Sequence, residues 1–440
     1  MLARPLKTLL PIFAATMLFS AEPEQLRLIE VDPGHSHLSG LHTHMLPGVS
    51  EVVHIYSPLS AELTAHLAAI TRDNTRAENP THWSVELFAG PDYLKKMQQE
   101  PPGAIVALSG RNSANIVYIE AALKAGQHVF ADKPLIIDSE SFPRLEAALK
   151  LAHDNHLVIG DWMTLRGETA YLLVRDLVRN ESIFGAPVPG TVANPSVHLE
   201  NLHALLKYSN GVPQKRPAFF LDVRQQGEGM ADVGTHLADL AQWTLFPDQK
   251  ISYRTDVRVL QATHSALTLT LDQFTRLTGE SAWPEFLKQS IVDGKLKDYT
   301  NGSCVYTVKG VHVSLKVGWQ FEAPPGASDS YFASYLGTRA LIELRAGPAE
   351  HFIPEIYLTP SPSEPLAAWE ASLKSTGLSF EKAGNSFHVL PPKPDRAGDS
   401  LQKIFNEFVG YVRNPTTFET TNLLAKYYIT TTAVAQANTH

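Results

Sequence analysis

Short apolar runs alternate with amphipathic segments over the first third of the chain, and this alternation constrains the fold more than any other feature of the sequence. The strand candidates are residues 26–31, 51–56, 103–109, 127–131 and 156–160. A first helix is expected to run to about residue 45, and others are expected at 60–70, 113–125 and 141–155. Strands that alternate with helices form parallel sheets, because each crossover helix returns the chain to the same end of the sheet. The pattern predicts a doubly wound α/β domain over residues 26–161.

The second half of the chain has a different texture. Past about residue 250, the strand candidates 304–308, 311–319 and 340–345 follow one another with few crossover helices between them. This favours a C-terminal α/β domain, residues 162–440, with an open, largely antiparallel sheet. Proline-rich stretches at 360–365 and 391–394 indicate loops. The last helix candidates, 401–412 and 418–437, are expected to be able to pack back on the first domain. A length of 440 residues also favours two domains.

The N terminus has the features of a cleavable signal peptide, residues 1–21. Arg4 and Lys7 precede an apolar stretch at 9–19, and Ser20 and Ala21 are suitable for cleavage. The apolar stretch is short for a membrane span, which needs about 20 residues, so a retained anchor is the alternative and no stable anchor is expected. The protein is therefore expected to be exported to the periplasm or the extracellular space.

The charge balance argues against nucleic acid as a partner. The chain has 37 Lys and Arg residues against 45 Asp and Glu residues, a formal charge of −8, and so lacks a broad cationic surface for phosphates. Cys304 is the single cysteine of the sequence and cannot form an intramolecular disulfide.

A lysine follows the strand candidate at 127–131 in the tripeptide Asp132-Lys133-Pro134. This places Lys133 at the carboxyl end of a parallel strand, the edge at which open α/β sheets bind ligands. An ordinary surface lysine in a loop is the alternative.

A glycine-rich turn that begins at Gly227 opens a helix with a carboxylate and an imidazole. Asp232 and His236 are four residues apart and so share one helix face, and Asp239 lies three residues further on. A carboxylate beside an imidazole orients it and raises its basicity, as a general base for an alcohol proton requires. The alternative is a capping aspartate and a packed histidine.

Together, these two elements resemble signatures of the glucose-fructose oxidoreductase, inositol dehydrogenase and rhizopine-catabolism (Gfo/Idh/MocA) family. Asp132-Lys133-Pro134 looks like its Glu-Lys-Pro motif with Asp in place of Glu, and the segment 227–239 is similar to its Gly-Gly-x3-Asp-x-Gly-x-His-x2-Asp motif. The resemblance implies a Rossmann-type dinucleotide-binding domain, NAD or NADP as cofactor, and hydride transfer to or from a hydroxyl of a sugar, glycoside or cyclitol. It also implies a small-molecule substrate and a homo-oligomer.

The resemblance assigns roles to individual residues. Lys133 would bind the substrate hydroxyl and lower its pKa, His236 would take or return the proton, and Asp232 would orient the substrate or the histidine. The family positions that contact the cofactor correspond to these residues: Gly34, His35, Ser57, Ser109, Asn112, Asp132 and Lys133. No metal is implied.

The phosphate loop departs from the family pattern. The family has Gly-x-Gly-x-x-Gly, whereas the segment 32–37 here is Asp-Pro-Gly-His-Ser-His and keeps only the middle glycine, Gly34. Asp32 also places a negative charge near the cofactor phosphates. Ser57 stands where an acidic residue would bind the ribose hydroxyls and tolerates a 2′-phosphate, so NAD and NADP both remain open. The segments 32–35 and 79–83 resemble a subgroup described mostly as putative oxidoreductases with their own C-terminal domain.

Four histidines lie close together in the sequence at positions 35, 37, 42 and 44. Two His-x-His pairs suggest a metal site, but residues two apart diverge in a turn that leads into a helix. Helix-packing or phosphate-facing histidines are therefore expected. An insert-like stretch ahead of Gly227 has aromatic and basic residues that suit a sugar pocket: Lys207, Tyr208, Arg216, Phe219 and Phe220. Ordinary core and surface roles are the alternative for these residues.

Two alternative functions follow from the same residues. One is a glycoside hydrolase that uses NAD for transient oxidation and elimination, as a few proteins of this fold family do. The other is a sugar-binding protein that has lost its cofactor, which the altered glycine loop suggests.

Overall fold

A computed structural model describes residues 25–209, 212–390, 399–415 and 421–439. The signal-peptide segment, the proline-rich stretch 391–394 and the start of the 418–437 helix candidate lie outside these described residues. In the part of the chain that the structure describes, no helix is both long enough and apolar enough to cross a membrane.

The first sheet has six parallel strands in the order β3-β2-β1-β4-β5-β6. Its strands are β1 Leu26–Val31, β2 Val49–Ser57, β3 Ser84–Ala89, β4 Ile105–Leu108, β5 His128–Ala131 and β6 Ile159–Asp161. Its helices are α1 Ser36–Leu41, α2 Ala61–Thr75, α3 Tyr93–Met97, α4 Asn115–Lys124 and α5 Phe142–Asp154. The strand order reverses between β1 and β4, and such a reversal opens a ligand crevice at the carboxyl ends of the strands. The predicted doubly wound parallel sheet is confirmed.

The sequence pattern missed β3 and α3 and made α1 too long. Strand β3 lies at the edge of the sheet and is half-exposed, so it lacks the apolar run of a central strand. Helix α1 ends at Leu41 and does not reach residue 45.

The second sheet has eleven strands within the described residues, most of them antiparallel. Its strands are β7 Val197–Ser209, β8 Val212–Gln214, β9 Val257–Leu269, β10 Ile291–Val292, β11 Lys295–Val308, β12 Val311–Glu322, β13 Ser330–Leu336, β14 Ala340–Ala346, β15 Glu355–Pro360, β16 Phe380–Ala383 and β17 Ser386–Val389. The accompanying helices are α6 Thr169–Arg179, α7 Val223–Gln226, α8 Gly229–Asp232, α9 Gly234–Leu245, α10 Leu271–Thr278, α11 Leu366–Ser375, α12 Asp399–Arg413 and α13 Thr421–Ala437. Strands β7 and β12 pair in parallel, in an otherwise antiparallel arrangement. The open, largely antiparallel second sheet is therefore confirmed.

The two C-terminal helices pack against the first sheet. Phe405 and Phe408 of α12 lie with their ring centroids 5.2 and 4.7 Å from that of Phe130 on β5. On the opposite side of the sheet, Leu423 and Tyr427 of α13 join the apolar core formed with α4 and α5. The end of the chain thus covers parts of both faces of the first sheet.

A buried network of charges connects the last helix to both sheets. Lys426 of α13 donates to Asp161 at 3.0 Å, at the end of β6, and to Asp239 of α9 at 2.7 Å. Arg166 donates two hydrogen bonds of 2.6 Å to the same Asp239. Burial alone would raise the pKa of Asp239, but Arg166 and Lys426 lower it to about 2.

Candidate active site

The loop after β1 forms without the first glycine of the dinucleotide-binding pattern, because an aspartate adopts the required conformation. Asp32 has φ 47°, in the left-handed region that Asp tolerates better than most residues. The Tyr118 hydroxyl donates to Asp32 Oδ2 at 2.9 Å. Burial raises the pKa of Asp32 and outweighs the opposing effects of Tyr118 and Arg111.

Two glycines keep this loop in close contact with the loop after β4. A Cβ on Gly34 would lie 3.3 Å from the Gly110 Cα, and a Cβ on Gly110 would lie only 2.5 Å from the Asp32 carbonyl oxygen. The backbone N–H groups of Gly34 and His35 both donate to the Ser109 carbonyl, at 2.9 and 3.0 Å. A close backbone approach of this kind is what glycines in a dinucleotide loop permit. The importance of Gly110 was not apparent from the sequence, because its partner is distant along the chain.

The expected divergence of His35 and His37 is wrong. His35 precedes α1 in an extended conformation, and His37 lies in the first turn, so both imidazoles reach Asp132 Oδ2, at 3.3 and 2.9 Å. The Ser109 hydroxyl donates to the same oxygen at 2.7 Å. Burial alone would raise the pKa of Asp132, but His37 and His35 hold it well below its usual range. Asp132 is therefore an ionised, buried carboxylate beneath two imidazoles.

Two triads have the donor types of a metal site. His35, His37 and Asp132 form one, at the edge of the cleft, and Glu30, His42 and His66 form the other, in the core. His66 Nε2 lies 2.7 Å from Glu30 Oε2, and His42 bonds the other carboxylate oxygen. Burial alone would raise the pKa of Glu30, but the two histidines lower it to about 2. His44 lies apart from both triads, 3.0 Å from the Thr43 hydroxyl.

Lys133 and Asp232 form a direct ion pair between the two halves of the chain. The Lys133 ammonium donates to Asp232 Oδ1 at 2.6 Å and to the Asp232 carbonyl at 3.2 Å. Asn115 holds the loop around Lys133 by donating to the carbonyls of Asp132 and Pro134, at 3.2 and 2.9 Å. The Lys133–Pro134 peptide bond is cis.

The helix predicted to carry both Asp232 and His236 is interrupted. Helix α8 ends at Asp232, and α9 begins at Gly234. Helix α8 packs closely on the second sheet, since a Cβ on its first residue, Gly229, would lie 1.7 Å from the Thr300 carbonyl oxygen of β11. The carboxylate of Asp232 is hydrogen-bonded to Lys133 and orients that residue. The expected increase in the basicity of His236 is wrong, since its pKa is lowered.

His236 lines the same cleft as Lys133 and is held in its neutral form. Its Nδ1 atom is buried and has no hydrogen-bond partner among the described residues. Burial, the Lys133 ammonium and His37 lower the pKa of His236 well below its usual range. A neutral imidazole at neutral pH is able to accept a proton.

The cleft between the sheets has a volume of about 520 Å³, which is within the range of small-molecule sites. Of the stretch considered for a sugar pocket, Lys207, Arg216 and Phe220 line it. Tyr208 is instead exposed and donates to Glu322, and Phe219 packs on Gly34. The sequence did not single out four other lining residues, which come from β7, the segment before β13, β13 itself and β12: His203, Asp329, Tyr331 and Trp319.

The two remaining cofactor candidates, Ser57 and Asn112, are both buried beside the crevice. Ser57 is buried and donates to the Pro58 carbonyl at 2.9 Å. Asn112 is also buried and donates to the Gln226 carbonyl at 2.8 Å, which joins the two halves of the chain. Arg111, which the sequence did not single out, stacks over Phe219 at 4.5 Å and lies 3.9 Å from Asp32 Oδ2.

These observations fit a bound dinucleotide. The crevice lies where the strand order reverses, the Gly34–Gly110 contact forms a cradle that a Cβ would fill, and Arg111 provides a cation beside the loop. Ser109, Asp132 and Lys133 lie at the carboxyl ends of β4 and β5, where the crevice meets the cleft.

The Gly34–Gly110 contact can be tested by substitution. Gly110→Ala is expected to weaken NAD and NADP binding at least ~10-fold, because its Cβ would displace the Asp32 loop, and a cost of about 1.4 kcal/mol is sufficient for that factor. Fluorescence titration with each nucleotide measures the change. Gly410→Ala in α12 is the control, since its Cβ would meet open space. Equal affinities in the two variants would rule out the cradle.

The chain is similar to known proteins over most of its length. The family model described as "Putative oxidoreductase C terminal domain" matches residues 173–438. The crystal structure of a putative oxidoreductase from Parabacteroides merdae is 34% identical over 95% of this chain and 98% of its own, with a TM-score of 0.91. No curated protein matches the chain.

More distant structures share the fold. GenD2 from gentamicin A biosynthesis, solved in complex with NAD, is 14% identical over 98% of this chain and 97% of its own, with a TM-score of 0.58. KijD10, a 3-ketoreductase from Actinomadura kijaniata solved with NADP and TDP-benzene, is 14% identical over 94% of this chain and 97% of its own, with a TM-score of 0.55.

Proposed function

Since the chain belongs to the family of oxidoreductases with this C-terminal domain, which are of the Gfo/Idh/MocA type, we propose that it is an NAD(P)-dependent sugar oxidoreductase. The reaction is the transfer of a hydride between the nicotinamide cofactor and a hydroxyl-bearing carbon of a sugar, glycoside or cyclitol. The observation that carries this proposal is the presence of the Lys133–Asp232 ion pair and the neutral His236 in one cleft, at the carboxyl end of β5.

The cofactor is proposed to lie in the crevice between β1 and β4. The Gly34–Gly110 cradle, Arg111 and Asn112 would hold it. When bound, it supplies the nicotinamide C4 atom that accepts or returns the hydride. GenD2 and KijD10, which have the same fold, bind NAD and NADP respectively, and this supports a nicotinamide cofactor here.

The chain's own residues handle the substrate hydroxyl. Lys133 is held by Asp232 at 2.6 Å and would donate a hydrogen bond to the hydroxyl oxygen, which lowers the pKa of the hydroxyl. His236 would accept the hydroxyl proton as the carbon loses its hydride. In the reverse direction, His236 would return that proton to the carbonyl oxygen.

A direct test is to denature the purified mature protein and search the supernatant for NAD or NADP by mass spectrometry. A bound nucleotide is expected, and its identity would decide between NAD and NADP. If none is released, fluorescence titration with both nucleotides follows. Absence of binding in both experiments would contradict the proposal and favour a sugar-binding protein. Cleavage of a glycoside without net oxidation would instead identify the hydrolase alternative.

Export and self-association are further parts of the proposal. The N-terminal leader pattern supports secretion to the periplasm or beyond, with a mature chain that begins after residue 21. The family resemblance supports a homo-oligomer. Edman sequencing of the secreted protein and its mass in solution would test these two points.

A further inference from the structure

Arg216 occupies a distinctive place in the cleft. It follows β8, and its Nε donates to the Leu205 carbonyl at 2.9 Å. Its guanidinium lies 4.3 Å from the centroid of the Phe220 ring and 5.4 Å from that of Trp319. Packing against two aromatic rings removes water from a cation and holds its planar donor groups in one orientation. Arg216 is therefore positioned in advance at the cleft wall.

The other interior cations of the cleft already have carboxylate partners. Asp232 pairs with Lys133 at 2.6 Å. Asp329 pairs with Lys207 and also lies 2.9 Å from His203 Nδ1. Across residues 25–209, 212–390, 399–415 and 421–439, Arg216 makes no ion pair within 4.0 Å.

The ionic lining of the cleft consists of four cationic side chains, Lys133, Lys207, Lys215 and Arg216, and three carboxylates, Glu168, Asp232 and Asp329. Lys215 is exposed, whereas Arg216 is partly buried at the cleft wall. Unlike Lys133 and Lys207, Arg216 has no carboxylate within 4.0 Å among the described residues. A partly desolvated cation without a close counter-ion is unfavourable, and a ligand carboxylate would supply that counter-ion.

We propose that the substrate is a sugar acid whose carboxylate is bound by Arg216, while the hydroxyl that reacts lies between Lys133 and His236. This inference rests on the proposed oxidoreductase function for the role of that hydroxyl. A guanidinium binds a carboxylate through two parallel hydrogen bonds, and Arg216 is one cation with no close carboxylate, which matches a monoanion better than a dianionic phosphate ester. Tyr331 also lines the cleft and offers an aromatic ring to the C–H groups of the sugar.

Binding is the first measurement. Isothermal titration of the NAD- or NADP-loaded protein would compare D-glucuronate and D-galacturonate with the neutral sugars D-glucose and D-galactose, and with D-glucose 6-phosphate. At least one uronate is expected to bind at least ~10-fold more tightly than its neutral counterpart, since hydrogen bonds between charged groups are stronger than those between neutral ones. Equal affinity for the acids and the neutral sugars would overturn the inference. Tighter binding of D-glucose 6-phosphate would overturn the assignment of a carboxylate and would identify a phosphate as the group that Arg216 binds.

Substitution of Arg216 is the second measurement. Arg216→Gln is expected to remove the preference for the acid, with a ~10–100-fold loss of uronate affinity and little change for neutral sugars. The matched control is Arg258→Gln on β9, which removes an exposed cation outside the cleft. A preference that survives Arg216→Gln would overturn the inference. Uronate binding without oxidation would contradict only the proposed function, whereas oxidation of neutral sugars alone would contradict only this inference.

Discussion

Replacement of Lys133 or His236 by alanine is expected to lower turnover at least ~100-fold without unfolding the protein. Lys133→Ala removes the donor to the substrate hydroxyl. It also removes the only cation that forms an ion pair with Asp232 in the described part of the chain. His236→Ala removes the proton acceptor from the same cleft. Initial rates of cofactor reduction measure the loss, and a thermal unfolding curve for each variant checks the fold.

A conservative variant and a surface control make this prediction sharper. Lys133→Met retains the aliphatic length and is expected to be as inactive as Lys133→Ala. Lys150→Ala removes an exposed lysine that pairs with Asp154 on α5 and should leave the rate unchanged. Near-normal turnover in both Lys133→Met and His236→Ala would refute the assigned roles.

The pH dependence of turnover has a definite sign. Because burial, Lys133 and His37 lower the pKa of His236, the imidazole becomes protonated only at a lower pH than an ordinary histidine, whose pKa is about 6.5. Protonation of His236 should therefore slow oxidation only in solution more acidic than the ordinary pKa of histidine. A rate that falls with an apparent pKa near 6.5 would show that the imidazole is in an ordinary environment.

Lys426→Ala is expected to destabilise the protein by about 3–5 kcal/mol, the cost typical of breaking a buried ion pair from one side. Lys426 is only 2% exposed and is the shared cation of Asp161 and Asp239. In the variant, Asp239 still pairs with Arg166 and Asp161 still accepts from the Tyr427 hydroxyl. Both buried carboxylates have nevertheless lost the ammonium group that neutralised part of their charge. Urea denaturation measures the loss of unfolding free energy. We expect the dependence of that free energy on urea concentration to be the same in the variant and the parent protein.

An exposed ion pair provides the comparison for Lys426. Lys374→Ala breaks a surface pair with Glu370 one helical turn away and should leave the free energy of unfolding almost unchanged. A loss below about 1 kcal/mol for Lys426→Ala would show that water or relaxation compensates the carboxylates.

Loss of Lys426 should also change how the stability of the protein depends on pH in acidic solution. The lowered pKa of Asp239 contributes stability above the ordinary pKa of an aspartate, and that contribution disappears as the pH falls toward about 2. Removal of Lys426 weakens this lowering. In the variant the contribution should therefore be smaller, and its loss should be complete at a higher pH than in the parent protein.

The sequence predicted the first sheet well, because strands and crossover helices leave local patterns. Strand β1 was predicted with its observed bounds, and Lys133 was expected at the carboxyl end of β5, where the structure places it. Strand β3 was missed because an edge strand that is half-exposed has no apolar run to detect. The spacing of His35 and His37 was misleading, since the periodicity of a helix does not extend to a residue that precedes it in extended conformation.

The sequence by itself determined most strands of the first sheet and the chemical types of the site. It indicated an altered phosphate loop at Asp32, a lysine after β5 and a histidine near the start of a later helix. These features depend on residues close together in the chain, where spacing determines which face or end of an element a side chain occupies.

The tertiary structure alone decided which groups meet. Only the packed chain shows that Asp232 holds Lys133, that Gly34 rests on Gly110, and that Arg216 lies in the cleft without a carboxylate partner among the described residues. The partners in these contacts come from different strands, helices and loops, brought together when the two sheets and the C-terminal helices pack. The charge state of a buried group depends on such neighbours and on the exclusion of water, and the local order of residues specifies neither.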